Sequence, residues 1–146
     1  MQPTATYKDA SEIQAVVSGF ETCSYKKEEF SHARHLTIAA YYLSYLPGDE
    51  AHRRMRESLL RFTAYHGVSR YHETITRFWM KLTDDFLRRQ PKDTPFHEQV
   101  NSLVERFGSK NLVYDYYSRE RLNSEEARHG WLEPDLQPLI ANEVQQ

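Results

Sequence analysis

Helix breakers punctuate this chain at Pro47-Gly48, Gly67, Pro91, Thr94-Pro95 and Gly108. Between them the apolar residues recur every three or four positions, as on one face of a helix, and never alternate as a half-buried strand requires. That pattern predicts an all-α fold. With 146 residues, the chain suits one helical domain over 1–146 that can bury a sizeable core. The expected architecture is a compact bundle of about five helices with a short irregular helical C-terminal segment.

Local signals place the helices. Ser11 with Gln14 reads as a capping box ahead of Ile13, Val16, Val17 and Phe20, predicting a helix over 11–21. Ser31 caps a second, over 32–46, that Pro47-Gly48 stops. A third, over 50–66, ends at Gly67, the expected left-handed stop. Ser69 is the expected cap of a fourth, whose stripe Tyr71, Ile75, Phe78, Leu82 and Phe86 runs toward Pro91. Thr94-Pro95 opens a fifth that closes at Gly108. Residues 111–117 and 118–129 read as short helical pieces, 1–10 as a flexible lead and 130–146 as an extended surface tail.

A net charge of -2 supplies no global attraction to nucleic acid or to an acidic membrane. The most apolar run, Leu36 to Leu46, contains Thr37, Ser44 and three tyrosines and is far short of the ~20 residues of a membrane span. Cys23 is the only cysteine, which leaves no internal disulfide and makes the cytoplasm the default location. It reads as a buried, inert thiol. Ten tyrosines are many for this length, so a number of them need partly wet, hydrogen-bonded sites. Arg53, Arg54, Arg56 and Arg61 read as a solvated helix face.

The histidines carry the functional expectation. His32 and His35 open the second predicted helix, His66 closes the third and His72 opens the fourth. Helices running up, down and up bring those termini to one end of the molecule. At about 100° per residue, His32 and His66 point inward, His35 lies at the edge of its stripe, and His72 sits on a flank beside Trp79. Inward imidazoles hydrogen-bond, lose their charge or bind metal. Three of them around an open position suit a divalent metal such as zinc, so His32, His66 and His72 are the candidate metal ligands. Water on that metal would be the nucleophile of a hydrolytic version. Against this stands a structural polar network in which the rings hydrogen-bond to carbonyls or to tyrosines such as Tyr65 and Tyr71.

Glu73 projects about 170° from the core stripe by the same helical step. Its expected role is a first-turn charge or a partner for Arg77 four residues on. Arg34, Arg70 and Arg77 belong near the same end and suit an anionic ligand weakly. Glu29 with His32, and Glu126 with His129, have the Glu-x-x-His spacing of di-iron bundles, but such sites need two further inward glutamates from long helices, and Glu28 or Glu29 lies before the predicted cap while Glu126 sits in the irregular tail. His97-Glu98 reads as a surface pair. No His-Glu-x-x-His, phosphate loop or nucleophile elbow occurs.

The strings Phe30-Ser31-His32-Ala33-Arg34-His35-Leu36, Tyr71-His72-Glu73-Thr74 and Tyr116-Tyr117-Ser118 followed by Pro134-Asp135 resemble a family of small uncharacterised bacterial proteins. The resemblance covers about residues 13–139. It implies that His32, His35, His72 and Glu73 matter and that Glu73 reaches a neighbouring helix or a partner subunit, and it supplies no substrate.

The functional expectation is therefore a histidine-lined pocket at one end of the bundle that binds a metal ion or a small polar ligand. Its residues are His32, His35, His66 and His72, with Glu73, Tyr71, Trp79 and Arg77 around them. The alternative is a noncatalytic homodimeric interaction module whose histidines are structural.

Overall fold

Helix follows helix without a strand among the residues that the computed structural model describes, 6–68 and 71–139. The body consists of α1 (Ala10–Glu21), α2 (His32–Tyr45), α3 (Gly48–Tyr65), α4 (Glu73–Arg88) and α5 (Phe96–Phe107). Two short helices, α6 (Arg119–Leu122) and α7 (Glu125–His129), follow, and 3-10 turns occupy Lys27–Glu29 and Lys110–Asp115. The all-α architecture is as expected. No helix among the described residues is long and apolar enough to cross a membrane.

Side-chain caps set most of the boundaries. Ser31, Ser118 and Ser124 each accept a backbone N–H of the first helical turn through the side chain. Two expected caps are replaced. Asp9, not Ser11, caps α1 by accepting the Glu12 N–H at 3.1 Å, because its carboxylate also holds the Ser11 hydroxyl at 2.8 Å. His72 caps α4, its Nδ1 accepting the Ile75 N–H at 3.1 Å; the expected cap Ser69 lies outside the described residues. Gly67 has φ of +69°, the left-handed stop anticipated after α3.

α2 is the central helix and packs against α1, α3, α4 and α5. One side, with Leu36 and Ala40, enters a core shared with Ile13, Phe78, Trp79 and Leu103. The other, with Ile38, Ala39 and Tyr42, enters a second core with Val17, Phe20, Met55 and Phe62. Burial on two sides fits its apolar stretch Leu36–Ala40, in which every residue is buried.

The first and last described segments are tied more closely than anticipated. The expected flexible lead is anchored at Tyr7, whose backbone N–H and carbonyl pair with the Asn101 amide at 2.8 and 3.0 Å and whose hydroxyl meets Thr37 at 3.0 Å. Past α7, the Thr74 hydroxyl donates to the Gly130 carbonyl at 2.5 Å. Tyr117 donates to the Leu132 carbonyl at 2.6 Å, and Leu136 to that of Tyr116 at 2.9 Å. Residues 130–139 have no helix, yet these bonds attach them to the bundle. Cys23 is a buried free thiol.

Candidate functional site

A cavity of about 540 Å³ opens where the start of α2, the end of α3 and the start of α4 come together. Phe30 and His35 form one wall, with Lys27 and Glu28 at the rim. Leu59, Phe62 and Thr63 of α3 form the second wall, and Val68 follows them. Tyr71, His72, Ile75 and Thr76 complete the enclosure from the α4 side. These surfaces are mainly apolar, and the volume lies within the ~300–1,000 Å³ of small-molecule sites.

The four histidines divide into two pairs. His72 is occupied at both ring nitrogens, since Nδ1 accepts from Ile75 and Nε2 donates to the Leu122 carbonyl at 2.7 Å. That arrangement sets its tautomer and leaves no lone pair for a metal. His32 donates from Nε2 to the Phe107 carbonyl at 2.9 Å, and its ring meets Trp79 edge-on at 4.4 Å between centroids. Both imidazoles tie distant chain segments to the bundle. Burial lowers the pKa of each, against the raising effect of those carbonyls.

His35 and His66 differ. Their Nε2 atoms are buried and have no hydrogen-bond partner. They flank an aromatic row in which Phe30 lies 6.0 Å from the His35 ring, Phe30 and Phe62 lie 5.2 Å apart, and Phe62 lies 4.5 Å from His66. Apolar surroundings cannot solvate an imidazolium, so burial, assisted by nearby His32, lowers the His35 pKa to about 3. His35 is therefore neutral near pH 7. It lines the cavity, whereas His66 stands behind Phe62.

Among the described residues, His32, His66 and His72 are not brought together as a metal-binding group. His72 has no free nitrogen, His32 directs Nε2 to Phe107, and no three His, Cys, Asp or Glu side chains form a metal-binding group among the described residues. The Glu-x-x-His pairs stay outside as well. Glu29 accepts the Lys26 N–H at 2.9 Å, and His129 pairs with Glu125 on the surface. Trp79 belongs to the core against His32 and does not line the cavity.

Glu73 overturns the helical-face estimate. It is only 6% exposed, and its carboxylate gathers donors from two helices and the loop between them. Arg56 of α3 donates through Nε and Nη2 at 3.1 and 2.8 Å to the two oxygens. Tyr71 donates at 2.6 Å and His52 Nε2 at 3.0 Å, while Arg77 Nε lies 3.5 Å away. A carboxylate only accepts, so the shorter contact assigns the His52 proton to Nε2, and Arg56 Nη2, 3.3 Å from the same atom, then bonds to Glu73 alone. Burial raises the Glu73 pKa, but the bonds from Arg56, Tyr71 and His52 outweigh it and hold the carboxyl at about 2. Burial and the Glu73 carboxylate together push the Tyr71 hydroxyl well above its usual range.

Tyr71 thus has its ring on the cavity wall and its hydroxyl in the ionic cluster. The pairing with Arg77 was expected; those with Arg56 and His52 were not. A usable signal was the i,i+4 spacing of His52 and Arg56, which places both on one face of α3. Arg54 also departs from a purely solvated face, pairing with Glu21 at 3.2 Å. Arg34 donates to the Glu29 carbonyl and covers the Tyr25 ring at 4.3 Å. Arg70 lies outside the described residues.

Comparison with known proteins returns no match to this chain among family models, curated proteins or solved structures.

Proposed function

We propose that this protein binds a small, largely apolar molecule in the cavity between α2, α3 and α4, with His35 as the polar group that orients it. One observation carries the reading: His35 lines a cavity of about 540 Å³ while its buried Nε2 has no partner. Buried polar atoms are paired in the great majority of cases, so an exception beside an open volume suits a group completed by a ligand. The bundle-end pocket is kept from the sequence expectation, with its composition changed. His35, Tyr71 and His72 contribute walls, Glu73 and Arg77 stand behind Tyr71, and His32 and Trp79 serve the core. The resemblance to the small bacterial family belongs to this proposal, since its motif residues His35 and His72 share the cavity wall.

Methyl resonances of Leu59, Val68 and Ile75, followed by NMR during titration with ethylbenzene, test the reading. Saturable shifts confined to those methyls are expected, and an Ile75→Trp variant that fills the cavity should abolish them. Shifts spread evenly over the protein, or unchanged in the filled variant, would refute it.

The homodimeric alternative draws on Tyr45, which is 58% exposed at the end of α2 beside Tyr41 and Phe96. A concentration-dependent mass that becomes monomeric in Tyr45→Ser would favour it.

A further inference from the structure

We infer that the molecule bound in this cavity is an uncharged aromatic compound bearing a hydroxyl group, an inference that rests on the binding reading above. Five rings, those of Phe30, His35, Phe62, Tyr71 and His72, stand on the wall beside the aliphatic Leu59, Val68 and Ile75. Edge and face contacts with such rings favour a flat aromatic guest over an aliphatic one of equal area.

The hydrogen-bond inventory then selects the polar group. The Thr63 hydroxyl donates to the Leu60 carbonyl at 3.1 Å and that of Thr76 to the His72 carbonyl at 2.8 Å. Tyr71 gives its proton to Glu73, and His72 gives its own to Leu122. The two threonine hydroxyls keep oxygen lone pairs but have no proton left to offer, and His72 has neither to spare, so apart from His35 and the rim Lys27 the described wall offers acceptors only. His35 Nε2 either accepts or donates, according to its tautomer. A hydroxyl satisfies both cases, whereas a ketone or ether is limited to one.

Charge is disfavoured from both directions. Lys27 is the one cation among the described lining residues, and Glu28 stands next to it at the rim. Arg56 and Arg77 face Glu73 instead of the cavity. Among the described lining residues, a carboxylate or ammonium guest would therefore find no buried counter-ion to offset its lost hydration.

Three probes of similar shape test the assignment on the full chain: 4-ethylphenol, ethylbenzene and 4-ethylbenzoate. Titration followed at the Leu59, Val68 and Ile75 methyls should show the phenol binding about 5- to 10-fold tighter than the hydrocarbon, as one neutral hydrogen bond provides. The benzoate should bind at least ~10-fold more weakly than the phenol. His35→Leu should bring the phenol and the hydrocarbon to equal affinity. In the native protein, independent of that variant's folding, the ring nitrogen-15 signals of His35 should move with the phenol and stay in place with the hydrocarbon. Equal affinities, preference for the benzoate, or an unmoved His35 signal with shifted methyls would overturn the ligand class while leaving the pocket standing. No methyl response to any of the three would refute the pocket itself.

Discussion

Two polar centres lie on either side of Tyr71, and they are built in opposite ways. Around Glu73 a buried carboxylate is surrounded by donors from Arg56, Tyr71 and His52, with Arg77 close by. Around His35 and His66 two buried ring nitrogens have no partner at all. The first arrangement is saturated, so any change to it costs folding energy. The second is unsaturated in an apolar setting, where the same polarity costs stability until something arrives to bond with it. A centre without missing partners holds the fold together, and a centre with them leaves room for function.

The contrast is sharpened most by Glu73→Gln. Removing the charge leaves Arg56 and Arg77 facing a neutral amide, and because both guanidinium groups retain some access to water we expect a loss of about 2 to 3 kcal/mol, below the limit for a fully buried pair. In thermal unfolding this corresponds to a drop of roughly 5 to 10 °C. The acid limb adds a signature. The native carboxyl, held at about 2 against 4.5 unfolded, contributes stability that is complete above pH 4.5 and disappears as the pH falls toward 2. Glu73→Gln should lack that component, and an unchanged acid limb would break the assignment.

His72 comes next, because it performs two structural tasks. His72→Ala removes the α4 cap and the tie to Leu122, with an expected loss of about 2 kcal/mol. His72→Asn restores a capping side chain without reaching Leu122 and should recover about half. If asparagine and alanine are equally destabilising in denaturant unfolding, the cap is not what matters.

His35→Leu has the smallest expected effect and the opposite tendency. Deleting an unpartnered nitrogen should leave stability at pH 7 unchanged or raise it by up to ~1 kcal/mol. The native ring, neutral down to about pH 3 against 6.5 unfolded, supports the fold above pH 6.5 and withdraws that support as the pH falls toward 3. The variant should therefore resist acid better over that interval. Part of the slope remains, since burial also lowers His32, His52 and His72. A loss of several degrees at pH 7 would show that His35 is as structural as His72.

Much of the bundle was legible because its signals are local. Ser31, Gly67, Pro47-Gly48 and the stripe of α4 each act within a turn or two of chain, and the observed boundaries follow them closely. The candidate site was legible at lower resolution. Helical step angles drew attention to the start of α2, the end of α3 and the start of α4, where the cavity opens, but could not tell which ring meets a carbonyl and which meets nothing. The carbonyls of Phe107 and Leu122 come from segments 75 and 50 residues away. Glu73 was misjudged because the periodicity argument treats a helix in isolation. At the first position of α4, its side chain extends past the helix end toward α3, where Arg56 and His52 await it.

Sequence alone determined the helical class and most of the punctuation between helices, since capping, chain reversal and amphipathic spacing are short-range effects. Tertiary structure decided which polar groups are paired, because that depends on side chains and carbonyls distant in sequence meeting within about 3 Å. Only that meeting separates His72, with both nitrogens occupied, from His35, whose buried Nε2 is left without a partner.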